Sequence, residues 1–161
     1  MTRAITRLPE PLVSFTVPLS PVPASRPRVA RNGAVYYTKT YSRYYRDLQA
    51  FLRSVPLPAT SFAGRIAISV EIVQPPFKTV SREFSRSDLD NLVKPILDAI
   101  TKTEKVWDDD SQIVYLQAFK RFARSTEKPH TRFAAYTLGE NDDASRAVEA
   151  ALQALPNDHH V

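Results

Sequence analysis

The chain has no cysteine. That excludes disulfide scaffolding and thiolate metal sites, and it accords with a reducing compartment. No apolar run approaches the roughly 20 residues of a membrane-spanning helix. The opening, MTRAITRLPEPL, lacks an apolar core long enough for a secretory signal. These absences lead to the expectation of a cytoplasmic protein with no membrane partner. Internal repeats and interdomain linkers are missing too, so residues 1–161 are expected to form one domain, large enough to bury about two-thirds of its unfolded surface. Acidic residues are few outside one stretch: the net charge is +5 and the sequence pI about 9.6. That balance is compatible with a polyanionic partner.

Hydropathy patterning then divides the chain. Residues 1–11 read as a flexible lead, and Leu12 to Leu19 as a first strand. A proline-rich extended stretch follows. VARNGAVYYT reads as a hairpin, with Asn32-Gly33 supplying the positive φ values of a type I′ turn. From Thr40 to Val55, Tyr44, Leu48, Phe51, Leu52 and Val55 form the apolar stripe of a helix that stops at Pro56. RIAISVEIVQ (65–74) alternates as a strand with Ile66, Ile68, Val70 and Ile72 on its core side. Gln112 to Phe122 and Thr131 to Leu138 read as two further strands joined by a basic turn, the second pairing back. From about 141 to 156 the 3, 1, 3, 1, 3 apolar spacing predicts a C-terminal helical extension. The expected fold class is α+β (or α/β): a mixed sheet of four to six strands with helices against it.

The scarce acid is concentrated between Ser87 and Gln112, in SDLDNLVKPILDAITKTEKVWDDDSQ. Asp88 and Asp90 precede or open an apolar helical pattern (Leu89, Leu92, Val93, Ile96, Leu97, Ile100), and Asp108, Asp109 and Asp110 follow it. If residues 86–90 stay extended, Asp88 and Asp90 point the same way. Either can cap the helix, and Asp90, Lys94 and Asp98 then follow at four-residue steps on its polar face. Pro95 within the helix removes one backbone donor. Two carboxylate clusters that a helix can bring together meet the needs of a hard divalent cation such as Mg²⁺, which takes oxygen ligands. Each piece also has an ordinary reading. Asp-x-Asp is often a cap, Asp90–Lys94 is an i, i+4 pair, and a triple Asp before a strand is often a turn.

Taken together, D-L-D-N-L-x-K (88–94), L-D-A-I-T-K (97–102) and W-x-D-D-x-Q (107–112), followed by an apolar strand ending in Lys120, resemble the signature of the RusA-type Holliday junction resolvases. The resemblance implies a small homodimeric, Mg²⁺-dependent endonuclease (Mn²⁺ a plausible substitute) with no small-molecule cofactor. Its substrate would be four-way or branched DNA, and phage or prophage-like origin is part of the family picture. Carried over position by position, Asp88, Asp90 and Asp110 are the implied metal ligands, Asp109 a further candidate, Lys94 a transition-state clamp and Asn91 a supporting residue. The segment TKTEKVWDDD is one residue longer than the family pattern and lacks its glycine. Anchoring on Gln112 selects Asp110, while Asp108 and Asp109 stay open.

Basic residues surround this stretch. Arg26, Arg28, Arg31 and Lys39 precede it, Arg82 and Arg86 lead into it, and Lys120 follows. On charge alone these are candidate DNA contacts, because phosphate contacts supply most sequence-independent affinity. The tyrosines of YYTKTYSRYYR could stack on unpaired bases. Two other readings remain: a branched or single-stranded DNA-binding protein without cleavage, and a nuclease acting on other nucleic-acid structures.

Overall fold

A computed structural model describes residues 10–76 and 83–139 of the chain. Its elements, in order, are β1 (Val13–Val17), β2 (Arg28–Val29), β3 (Val35–Tyr36), α1 (Lys39–Ser54), β4 (Arg65–Gln74), α2 (Leu89–Thr101), a 3₁₀ turn (Asp110–Gln112), β5 (Ile113–Phe122) and β6 (His130–Leu138). The expected C-terminal helix and most of the N-terminal lead lie outside the described residues.

A four-stranded mixed sheet in the order β1-β6-β4-β5 forms the centre, and β2 with β3 makes a separate small hairpin. β4 runs parallel to β5 and antiparallel to β6, while β6 is antiparallel to β1. The fold is therefore α+β, as the patterning indicates, but β6 does not pair back on β5. It crosses β4 and slots between β4 and β1, a long-range placement that local alternation does not specify.

Ile66, Ile68, Val70 and Ile72 of β4 enter one core with Val13 and Val17 of β1, Phe133 and Ala135 of β6, Leu48 and Leu52 of α1, and Leu92, Ile96 and Ile100 of α2. Both helices thus bury their apolar stripes on the same side of the sheet. β4 departs from the simple alternation. Ala67, Ser69, Glu71 and Val73 are buried as well, so this central strand is covered on both faces.

The hairpin turn also differs from the sequence expectation. Gly33 alone takes a positive φ (81°), Asn32 does not, and the Gly33 amide donates to the Ala30 carbonyl at 2.9 Å. This is a longer loop with its left-handed residue at glycine, rather than a type I′ turn. The Asn32 side chain accepts from the Ala34 amide at 3.1 Å, which relieves it of any need for positive φ.

Candidate active site

Helix α2 sets up the site. Asp88 is its N-cap in extended conformation, yet its side chain accepts no capping bond; its Oδ2 lies 3.4 Å from the Asn91 amide nitrogen. Helical geometry begins at Leu89, so Asp90 sits in the first turn rather than two residues along an extended segment from Asp88. Asp90 faces a cleft that Asp88 does not line. Down the polar face, Lys94 pairs with Asp98 at 3.3 Å, so the i, i+4 partner of Lys94 is the later acid and Asp90 is left out of the pair.

Two devices fix the entry to this helix. The Lys120 ammonium donates to the carbonyls of Ser85 (3.1 Å) and Ser87, gripping the residues just before Asp88. Lys120 is thus occupied with backbone and braces the start of α2, where charge alone had assigned it to DNA. Pro95 is buried in α2 and offers no N–H to the Asn91 carbonyl one turn earlier. That carbonyl instead accepts the Ala24 amide at 2.7 Å. The helix "defect" therefore moors the proline-rich segment carrying Arg26 and Arg28 beside the acidic residues.

The second acidic cluster rides on a braced loop. Trp107 is fully buried and its indole donates to Thr101 Oγ1 at 2.7 Å, tying the loop back to the end of α2. Gln112 does most of the remaining bracing. Its Oε1 accepts from the amides of Asp108 (2.8 Å) and Asp109 (3.1 Å), and its Nε2 donates to the carbonyls of Phe62 (2.6 Å) and Gly64 (2.9 Å). Asp108 accepts from the Ser61 hydroxyl. Asp109 caps the 3₁₀ turn and accepts from the Ser111 amide and hydroxyl; those hydrogen bonds hold its carboxyl below the ordinary carboxylate range. The Asp110 carboxylate makes no hydrogen bond or ion pair among the described residues, although its backbone carbonyl accepts from the Ile113 amide. Glu104 takes φ 55°, the left-handed position where a glycine would rest without strain.

Asp90, Lys94, Asp98 and Asp110 line one cleft of about 580 Å³, floored by Leu116 and Ala118 of β5. Asp98 and Asp110 also line an adjoining cleft of about 590 Å³ whose other wall is Tyr37, Tyr41 and Tyr45. Asp98, at the junction of the two, stands in the sequence as the third member of the four-residue series and within L-D-A-I-T-K, without a role assigned to it. At 1.5 Å per residue, Asp90 and Asp98 stand about 12 Å apart along the helix axis. Among the described residues no three carboxylates converge into a ready-made cation cage. The donor chemistry still suits a hard cation. The acids are oxygen donors, Asp90 and Asp110 are unpaired, and Mg²⁺ usually takes only one or two carboxylates, with water and substrate phosphate completing its shell.

The basic residues that sequence charge points to fall into two groups. Arg26, Arg28, Arg31, Lys39 and Arg86 are exposed and have no acidic partner among the described residues. Arg43 and Arg46 lean on Asp47 at 4.0 and 3.4 Å, and Lys120 is occupied as above. Arg82 lies outside the described residues.

The family model described as endodeoxyribonuclease RusA matches residues 18–132, which span every element from the proline-rich segment to the start of β6. This chain belongs to the RusA family. It is also 31% identical over 127 residues to the uncharacterized protein YqaN of Bacillus subtilis (strain 168), an alignment covering 69% of this chain and 88% of that one. RusA membership makes the protein an endodeoxyribonuclease by family, a hydrolase of DNA phosphodiester bonds, built as a single mixed α+β unit. The RusA match contains Asp88, Asp90, Lys94 and Asp110, and it ends before the C-terminal segment beyond residue 140. No helix among the described residues is long and apolar enough to cross a membrane.

Proposed function

We propose that this protein is a Mg²⁺-dependent, structure-specific endodeoxyribonuclease that resolves four-way DNA junctions in recombination and repair, by paired phosphodiester hydrolysis. The observation that carries the reading is the partition of the acids. Asp108 and Asp109 are consumed in bracing their loop, while Asp90 and Asp110 stay unpaired and line one cleft with Lys94. Carboxylates kept free of partners at an open cleft are poorly explained as stabilising features and well explained as ligands.

Asp90 and Asp110 would hold the cation, with Asp88 at the rim and Asp109 the further candidate. The chemistry such an ion supplies when bound is polarisation of the scissile phosphate and acidification of the attacking water. The chain's own residues do the rest. Lys94, steered by Asp98, offers its ammonium to a phosphoryl oxygen as charge builds there. Asn91 orients Asp88 through its side-chain amide. The unpaired Arg26, Arg28, Arg31, Lys39 and Arg86 draw the DNA backbone to an acidic site that would otherwise repel it.

A four-way junction has near two-fold symmetry, so opposed cuts require two sites and hence a two-fold homodimer. The free edge of strand β5 is one candidate interface.

The test is cleavage of a labelled synthetic four-way junction beside linear duplex and flap controls, with Mg²⁺ or with EDTA. Symmetric, metal-dependent nicks confined to the junction are expected. Cutting of all substrates would make the protein a broader nuclease, and binding without cutting would reduce it to a recognition module.

A further inference from the structure

Helix α1 presents Tyr37, just ahead of it, then Tyr41 and Tyr45, at successive four-residue steps. Their rings form a column. Tyr41 and Tyr45 stack with centroids 5.9 Å apart at an interplanar angle of 26°, and Tyr37 leans on Tyr41 at 5.6 Å with its ring tilted by 52°. Lys102 closes the column at one end, its Nζ 5.0 Å from the centre of the Tyr45 ring. The other end is open: Tyr37 is 47% exposed. Tyr41 is mostly buried and packs as structure, but a column with one capped end and one bare aromatic face is unfinished.

Its position gives it a use. The tyrosine-lined cleft shares Asp98 and Asp110 with the cleft that holds Asp90 and Lys94. Whatever backbone lies at the acids must send its next nucleotide along the shared wall. Asp98 and Asp109 on that wall disfavour phosphate beside them, while Arg46 and Lys102 on the same lining can take the flanking phosphates and leave the tyrosine rings to the uncharged part of a nucleotide, its base. The volume, about 590 Å³, lies within the range of small-molecule sites. The phenols of Tyr41 and Tyr45 are held neutral, their pKa values raised chiefly by burial and then by the Asp98 charge, so the wall stays aromatic and unionised at neutral pH.

We infer that this cleft is a stacking subsite for an unpaired base of the cleaved strand, adjacent to the scissile phosphate, with Tyr37 as the ring that receives it. The inference rests on the nuclease reading above and adds to it. A junction offers bases near the crossover whose stacking is already weakened, and an aromatic face that accepts any base would hold the strand in line with Asp90 and Asp110.

The test uses the full chain and four-way junctions carrying 5-iododeoxyuridine at successive positions near the crossover. Complexes are formed in EDTA and irradiated, and adducts are mapped by mass spectrometry; the same junctions are then cut in Mg²⁺. The expected result is an adduct on Tyr37 from one position only, beside the cleaved bond. Tyr37→Ala should weaken junction binding by roughly 5- to 150-fold, the span of one lost base–aromatic stack. Tyr37→Trp should restore it, and thermal melting of Tyr37→Ala should fall by no more than the lost Tyr37–Tyr41 ring contact explains. Cutting and binding with no adduct on Tyr37, or with Tyr37→Ala as tight as the native chain, overturns the subsite and leaves the nuclease reading standing. Failure of the native chain to bind or cut any junction removes both.

Discussion

Two charged clusters sit on the same sheet and are handled in opposite ways. At one, Arg121 of β5 donates to Glu71 at 2.7 Å and grips Glu127 with both terminal nitrogens at 2.6 and 2.7 Å, and Arg132 approaches Glu71 at 3.6 Å. Glu71 keeps only 6% of its side chain exposed, and both of its oxygens have cationic partners. At the other, the carboxylates of Asp90 and Asp110 face open clefts with no partner among the described residues. The first cluster is what a fold does with charge it must bury: pair it, fork it and shield it. The second leaves charge unpaired at the surface, where it is available to an outside ligand. The contrast argues that the acidic cleft exists for binding and the ion network for cohesion.

That contrast predicts different failures. Glu71→Ala should strand Arg132 and half of Arg121 inside the sheet and lower stability by about 3 kcal/mol. The estimate sits at the low end for a broken buried pair because Glu127 still holds Arg121. Chemical denaturation should show the loss, and junction cutting at permissive temperature should persist.

A smaller effect should appear in acid. The Arg121 fork pulls the Glu127 carboxyl from 4.5 down to about 2. A folded-state pKa below the ordinary value means the stabilisation is complete above about pH 4.5 and is lost as pH falls towards 2. Glu127→Gln should be less stable at neutral pH and should flatten the acid limb of the stability curve over that window. An acid limb as steep as that of the native chain would show that the fork contributes nothing.

Much of this architecture was legible in the sequence, for physical reasons that stop at identifiable places. Periodicity located β4 at 65–74 and both helices to within a residue or two, because each buries a stripe or alternates locally. The acidic motif and its lysine were equally plain. Long-range pairings were not. The insertion of β6 between β1 and β4 depends on registers such as Val70 opposite Phe133, and Glu71 reads as an outward polar residue until arginines about 50 and 60 positions later close over it. Lys120 read as a DNA contact because a sequence shows charge and not the Ser85 and Ser87 carbonyls that absorb it. Gln112 anchors Asp110 in the sequence, but the hydrogen bonds that Ser61 gives Asp108 and Ser111 gives Asp109 depend on the folded loop and are not legible there. Pro95 looked like an irregularity; it is the reason the Asn91 carbonyl is free for Ala24.

The most direct test of the division between bracing and functional acids is the single-turnover rate of junction cleavage in Mg²⁺ for Asp90→Asn, Asp110→Asn and Asp108→Asn, each with its junction affinity. Asp90→Asn and Asp110→Asn should each lose at least about a hundredfold in rate, on the order of one lost transition-state contact. Both should bind junctions as tightly as the native chain or slightly tighter, since a negative charge near phosphate is gone. Asp108→Asn should keep most of the rate. Full cleavage by Asp90→Asn or Asp110→Asn, or a loss in Asp108→Asn as deep as theirs, would contradict the assignment.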